Sequence, residues 1–203
     1  MLFYNSPNPA PNPRRVRIFA AEKGIALPTR DLSIPAREHK SEEFLALNPR
    51  GQTPALQLDD GTVIAESVAI CRYLEGMHPE PPLFGRDPRE QALVEMWSRR
   101  VEMILMPPVG AVWVHTHPFT ARLPGRNTEW GEANRPRADE AMRFFDTALQ
   151  GREFIATDEY TIADILLLTT VDFASFIGIA MSDDLTSLRA WHARVSARPS
   201  AAA

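Results

Sequence analysis

The chain has 203 residues, long enough for one large domain or two modest ones, and its apolar fraction of 44% suffices for buried cores. Its net charge of −4 gives no basic surplus, so nucleic acid and anionic membranes are not expected as partners. The single cysteine, Cys71, excludes an internal disulfide framework and a multi-cysteine zinc site, and it favours a reducing cytoplasmic location. We recognise no secretory signal and no membrane-spanning run.

The N-terminal stretch predicts a short strand, a proline-rich loop and a helix. Residues 2–4 are apolar, and four prolines follow within residues 7–13. Asn12 is a favourable N-cap and Pro13 fits the first helical position, while Gly24 predicts the end of the helix. Such a helix start has free backbone N–H groups and a positive dipole end, so the stretch predicts an anion site.

The next segments continue an alternation of strand and helix. Residues 26–32 predict a second strand, and Ser41 predicts the cap of a short helix. Residues 54–64 predict a hairpin with an Asp-Gly turn, and Ser67 predicts the cap of a further helix. The resulting order, β-α-β followed by β-β-α, is thioredoxin-like.

Beyond a proline-rich segment the strand signals nearly vanish. The pattern divides the chain into a domain over residues 1–77, a linker over 78–88 and an all-helical domain over 89–203. Helices are predicted from Asp87-Pro88 to Pro107-Pro108, from about Pro136, from the capping box of Thr161 and Asp164 to about Ile177, and around residues 185–195.

An ordered set of motifs resembles the cytosolic glutathione transferase superfamily. The set is Gly51-Gln52-Thr53-Pro54-Ala55-Leu56, Glu66-Ser67-Val68-Ala69-Ile70 and Thr161-Ile162-Ala163-Asp164. Residues 10–17, 129–131 and 188–191 narrow the resemblance to theta-related bacterial transferases and to the fungal type that lacks the usual catalytic Tyr, Ser or Cys. The resemblance implies an α/β thioredoxin-like N-terminal domain followed by an all-α C-terminal domain.

The resemblance also implies binding residues for glutathione, the co-substrate. Pro54 would follow a cis bond, and the backbone of Thr53 would pair with the cysteinyl part of the peptide. Without the resemblance, Thr53-Pro54 would be an ordinary trans entry to a strand. Ser67 and the N–H groups beside it would hold the γ-glutamyl carboxylate, and Glu66 would pair with the ammonium group. The alternative is a capped helix with a solvated acid.

The glycine carboxylate of glutathione requires a cation, which the resemblance places near the short helix. His39, Lys40 and Gln52 are the candidate ligands. Residues 37–40 are equally typical of a solvated charge cluster, and this alternative stays open.

The group that activates the thiol is not evident. The theta-type Ser or omega-type Cys position falls on Ala10, whereas other alignments fall near Ser6 or Asn12. Alanine cannot donate a side-chain hydrogen bond. The predicted helix start at Asn12, with Arg14 and Arg15, would therefore have to lower the thiol pKa.

His115 and His117 follow the proline pair, in the region that lines the electrophile side in this superfamily. The resemblance favours His115, which could hold a water that takes the thiol proton. The alternative is a pair of packing or surface histidines. No further ligand completes a metal set in this region, so no metal site is predicted.

These features together predict a glutathione transferase that directs the thiolate of glutathione at a small hydrophobic electrophile. The family implies a homodimer. The main rival is a non-catalytic module with the same fold that serves in binding or assembly, and Ala10 favours it. A thiol oxidoreductase is disfavoured because no cysteine lies near the first helix.

Overall fold

The computed structural model describes residues 1–7 and 9–203, which form two compact units. The first comprises Met1–Leu83 with Pro199–Ala203, and the second comprises Phe84–Arg198. In the described part of the chain, no helix combines the length and apolarity needed to cross a membrane.

The first unit carries, within the described residues, a four-stranded sheet. Its strands are β1 (Leu2–Asn5), β2 (Thr29–Asp31), β3 (Ala55–Gln57) and β4 (Val63–Ala65), in the order β2-β1-β3-β4. β2 is parallel to β1 and the other pairs are antiparallel, so the predicted thioredoxin-like order is confirmed. β2 is shorter than predicted, because Pro28 has no N–H to contribute to the ladder.

Three α-helices accompany the described part of this sheet: α1 (Pro11–Glu22), α2 (Glu42–Leu47) and α3 (Ser67–Met77). The predicted cap of α2 is confirmed, since the N–H of Phe44 donates to Ser41 Oγ over 3.2 Å. Gly24 ends α1 with a φ of +64°, and the N–H of Ile25 donates to the carbonyl of Ala20 over 2.8 Å.

Two predicted helix starts are wrong by one or two residues. α1 begins at Pro11 with Ala10 at the N-cap, because Pro11 occupies the first helical position expected for Pro13. Asn12 is therefore inside the helix and does not cap it. In α3 the N-cap is Glu66, with a φ of +69°, and Ser67 is already the first helical residue.

Apolar side chains cover both faces of the sheet. On one face Tyr4 and Ala55 form a buried cluster with Leu32 and Phe44. Alternate residues of a strand point to opposite faces. Accordingly the neighbouring strand residues Phe3 and Leu56 are buried but do not belong to that cluster. Also buried outside the cluster are residues of the two long helices: Val16 and Phe19 of α1, and Ile70, Cys71 and Leu74 of α3. Burial raises the pKa of the Cys71 thiol, which is a small core residue.

The second unit is helical throughout its secondary structure. Its α-helices are α4 (Pro88–Arg100), α5 (Met106–Thr116), α6 (Thr128–Ala133), α7 (Arg135–Ala148), α8 (Ile162–Phe176) and α9 (Thr186–Ser196). The predicted end of a helix at Pro107-Pro108 is wrong. A π-helical turn, Val101–Leu105, leads directly into α5, where both prolines occupy the first turn and need no N–H. The sequence prediction also missed α6, which Asn127 caps.

Asp164 ties together three parts of the second unit. Its carboxylate is fully buried and accepts hydrogen bonds from the Ile155 N–H (3.0 Å), the Thr161 N–H and Oγ1 (both 3.1 Å) and Trp191 Nε1 (2.9 Å). The predicted capping box is therefore confirmed. Burial raises the pKa of Asp164, and these four hydrogen bonds oppose the rise. The carboxylate links a loop, the start of α8 and the buried face of α9.

We expect Asp164→Ala to lower the free energy of unfolding by about 3 kcal/mol or more, since each buried donor left unsatisfied costs roughly 1–3 kcal/mol. Asp87→Ala is the matched control. Asp87 caps α4 at the surface through one bond to the Glu90 N–H (2.8 Å), a loss of about 1 kcal/mol. Urea unfolding monitored by circular dichroism measures both. Equal losses would contradict the role assigned to Asp164.

Candidate active site

The first turn of α1 offers fewer donors than expected. The first four N–H groups of a helix have no partner within the helix. Counted from the N-cap, those positions are Ala10, Pro11, Asn12 and Pro13, and proline has no N–H. Of these four positions, only Ala10 and Asn12 have an N–H group that can bind an anion. The Asn12 Oδ1 is buried and has no hydrogen-bond partner within residues 1–7 and 9–203.

The two arginines expected to add charge at this turn have side chains engaged elsewhere. Arg14 Nη2 donates to the carbonyl oxygen of Ala201 over 2.9 Å. Arg15 is only 3% exposed, and its Nη1 donates to Ser67 Oγ over 3.5 Å. Arg15 therefore places a buried cation at the N-terminus of α3.

The N-terminus of α3 combines a helix start with the buried guanidinium of Arg15. Ser67 is buried, its backbone opens the helix, and its hydroxyl lies beside the Arg15 guanidinium. The dipole of α3 and the guanidinium both favour a negative charge at this point. Glu66, directly before it, is exposed and held in a left-handed conformation. The arrangement suits a ligand that carries a carboxylate next to an ammonium group.

The Thr53-Pro54 bond is cis, as the resemblance implies. Thr53 Oγ1 lies 2.8 Å from the Oγ of Ser6, a buried residue directly after β1. Arg17 Nη1 donates to the carbonyl oxygen of Ser6 (3.3 Å) and to Asn5 Oδ1 (2.6 Å). Side chains of β1, α1 and the loop before β3 are thereby joined. The sequence analysis noted Ser6 only as an alignment position, because no local pattern marks a contact across 47 residues.

His39, Lys40 and Gln52 are brought together by a close backbone approach. Gly51 has a φ of +55°, and a Cβ there would lie 2.7 Å from the His39 carbonyl oxygen and 2.9 Å from Lys40 Cδ. Lys40 Nζ donates to the carbonyl oxygen of Arg50 over 2.9 Å. Gln52 Oε1 accepts from Arg50 Nε over 3.1 Å. The loop before the cis bond therefore rests on the turn that carries His39 and Lys40.

His39 has a nitrogen available for a ligand. Its Nδ1 is buried, with no hydrogen-bond partner in the described part of the chain. Burial lowers the pKa of His39, and the charges of Lys40 and Arg37 lower it further. These effects favour the neutral form of the ring, which carries one N–H.

His115 belongs to the second unit, and its hydrogen bonds determine its tautomer. The N–H of Asn127 donates to His115 Nδ1 over 3.0 Å, so the neutral ring carries its proton on Nε2. In this state Nε2 donates a hydrogen bond and cannot take a proton. His115 would therefore orient a water or a sulfur as a donor. A ring that donates through Nε2 can hold a water, so the expectation that His115 holds a water that takes the thiol proton stays a prediction.

His117 packs against neighbouring residues of its own segment. Its Nδ1 accepts from the Phe119 N–H over 3.2 Å, and its ring centroid lies 4.5 Å from that of Trp113. Across residues 1–7 and 9–203, no group of three or more His, Cys, Asp or Glu side chains could hold a metal ion.

Comparison with known proteins finds glutathione S-transferases that match nearly the whole chain. The models of the glutathione S-transferase N-terminal and C-terminal domains match residues 10–77 and 112–199. Glutathione S-transferase 2 of Saccharomyces cerevisiae is 37% identical over 98% of this chain and 87% of its own length. The chain belongs to the glutathione S-transferase family.

Solved structures of glutathione transferases confirm the fold. The crystal structure of Gtt2 from Saccharomyces cerevisiae is 36% identical, with a TM-score of 0.92 and coverage of 98% of both chains. The Gtt2-class glutathione S-transferase of Vibrio parahaemolyticus is 33% identical, with a TM-score of 0.83, over 98% of this chain and 94% of its own. The predicted architecture, a thioredoxin-like domain followed by an all-helical one, is confirmed. The family to which this transferase belongs is one of enzymes that use glutathione as co-substrate.

We expect Gly51→Ala to weaken glutathione binding by about tenfold or more, because the added Cβ would push His39 and Lys40 away from the loop before Pro54. Gly24→Ala is the matched control, since Gly24 has a similar φ of +64° but nothing within 4 Å of its Cβ position. Titration calorimetry with glutathione measures the affinity. Equal effects of the two variants would show that only the backbone conformation matters.

Proposed function

We propose that this transferase binds glutathione on its first unit, lowers the pKa of the thiol and directs the thiolate at a small hydrophobic electrophile. The observation that carries the proposal is the buried Arg15 guanidinium against Ser67 at the N-terminus of α3. The guanidinium and the positive end of α3 both favour a negative charge at this point. The γ-glutamyl carboxylate of glutathione supplies such a charge.

The remaining contacts follow the chemistry of the tripeptide. The N–H groups at the start of α3 and the Ser67 hydroxyl hold the γ-glutamyl carboxylate, and Glu66 pairs with its ammonium group. The backbone of Thr53, before cis-Pro54, pairs with the cysteinyl part in the manner of an added strand. His39, Lys40 and Gln52 bind the glycine carboxylate, with the free nitrogen of His39 as one donor.

The thiolate is stabilised at the start of α1. Ala10 provides no side-chain donor, so the backbone N–H groups of Ala10 and Asn12 and the helix dipole act on the sulfur. A thiol pKa of about 8.5 falls to roughly 3.5–7.5 at helix N-termini or beside cations. This assignment makes the chain a member of the theta-related and fungal-type group that lacks a catalytic Tyr, Ser or Cys.

From the second unit, His115 contributes as a hydrogen-bond donor through Nε2 during turnover. We also propose that the protein is a homodimer and that it acts in the cytoplasm. Its proposed domains are residues 1–77 and 89–203, joined by a linker over residues 78–88. A non-catalytic glutathione-binding module is the second candidate, and the observation that favours it is the absence of a donor side chain at Ala10.

The ultraviolet absorbance of the thiolate tests the proposal directly. Glutathione titrated onto the protein is expected to give a bound-thiol pKa about one unit or more below that of the free peptide. Turnover of a general aryl halide substrate should follow. Binding with a lowered thiol pKa but no turnover of any aryl halide would favour the non-catalytic module, and absence of binding would reject both candidates.

We expect Ser67→Ala to weaken glutathione binding about tenfold, because a hydrogen bond to a charged group contributes roughly 1.5–3 kcal/mol. Ser98→Ala is the control, since Ser98 is buried in α4 and its Oγ has no hydrogen-bond partner among the described residues. Unchanged affinity of the Ser67 variant would remove the carboxylate site from α3.

His115→Ala should lower kcat with an aryl halide by about tenfold at neutral pH, the usual effect of one lost donor to a developing charge being at least that large. The loss should narrow at high pH, where the thiolate forms unaided. His117→Ala is the matched control, because His117 also accepts a backbone N–H through Nδ1. Equal losses for His115→Ala at both pH values would contradict a role in stabilising the thiolate.

A further inference from the structure

The turn Pro199–Ala202 lies against α1, the helix that carries the proposed thiol site. This segment follows the whole second unit in sequence, yet it belongs to the first unit. Its Ser200 and Ala201 are buried. The chain therefore returns to α1 after completing the helical unit.

Two side-chain hydrogen bonds connect the 199–202 turn to opposite ends of α1. Arg14 Nη2, in the first turn of the helix, donates to the carbonyl oxygen of Ala201 over 2.9 Å. Ser200 Oγ donates to Glu22 Oε1 at the last residue of the helix. Arg14 and Glu22 are eight residues apart, about 12 Å along the axis at 1.5 Å per residue. Two neighbouring residues of the 199–202 turn are therefore bonded to both ends of α1 through the side chains of Arg14 and Glu22.

The contacts of the 199–202 turn act on the first turn of α1, where the proposed site has few backbone donors. Pro11 and Pro13 leave only the N–H groups of Ala10 and Asn12 as donors at the start of the helix. Helix ends fray more readily than helix interiors. A side chain anchored one turn into the helix restrains the same backbone that presents both donors.

We propose that the 199–202 turn holds the first turn of α1 in the geometry that stabilises the thiolate, which makes Arg14 and Ser200 positioning residues. The inference rests on the proposed function. It assigns the Arg14 guanidinium an indirect role, through the carbonyl of Ala201, in place of direct contact with the sulfur. The binding of the two glutathione carboxylates at other elements is left intact.

Arg14→Gln and Ser200→Ala test the inference, with Arg14→Lys as the conservative variant. The bound-thiol pKa is measured by thiolate absorbance, and hydrogen exchange is measured at the Ala10 and Asn12 amides. We expect Arg14→Gln to raise the bound-thiol pKa by about half a unit to one unit and to speed exchange about tenfold. The Kd for glutathione should change less than about threefold, and Arg14→Lys should restore part of both effects. Ser200→Ala should shift both readouts in the same direction by less.

Arg30→Gln is the matched control, because Arg30 is an exposed arginine of the same unit paired with Glu43. It should leave both readouts unchanged. A raised thiol pKa with unchanged exchange in Arg14→Gln would show that its charge acts directly, and would overturn the inference. Faster exchange with an unchanged thiol pKa would overturn it as well. If wild-type protein does not lower the thiol pKa at all, the proposed function itself fails.

Discussion

The absence of two N–H groups constrains the whole thiol site. Pro11 and Pro13 pre-set the backbone of α1, but they leave the helix start with only the N–H donors of Ala10 and Asn12. The surrounding contacts hold this part of the unit in place. Arg17 joins α1 to the end of β1, and Ser6 joins that end to Thr53. The prolines and these contacts make the start of α1 rigid. The prolines also limit the number of hydrogen bonds that it can donate.

The start of α3 differs from the start of α1 because a charged side chain reinforces its helix dipole. Its N-terminus is positive, and Arg15 adds a buried cation next to Ser67. Both charges favour an anion at this point, and a ligand carboxylate supplies one. In the proposed site, α3 binds the γ-glutamyl carboxylate of the peptide and α1 acts on the sulfur.

Local patterns predicted the parts of the fold that depend on local chemistry. The Thr161–Asp164 capping box, the cap at Ser41 and the stop at Gly24 were predicted because each uses residues within one turn. The start of α1 was misplaced because either of two prolines fits the first helical position. The helix continues through Pro107 by way of a π-helical turn, and no local sequence pattern predicts such a turn. The Ser6–Thr53 contact joins distant segments, so only the three-dimensional structure brings it to view.

The absence of a donor side chain at Ala10 does not by itself remove thiol activation. Lowering a thiol pKa by two units requires about 2.7 kcal/mol of preferential stabilisation of the thiolate. A helix dipole contributes roughly 0.3–1 kcal/mol at an exposed end, which is insufficient alone. Hydrogen bonds to a charged group contribute roughly 1.5–3 kcal/mol each, so two well-placed backbone donors reach the required amount. These donors differ from a hydroxyl on a rotatable side chain, because they cannot reorient toward the sulfur. Their contribution depends on the position of the helix itself, which is why contacts that hold α1 matter more here than in a site with a dedicated catalytic side chain.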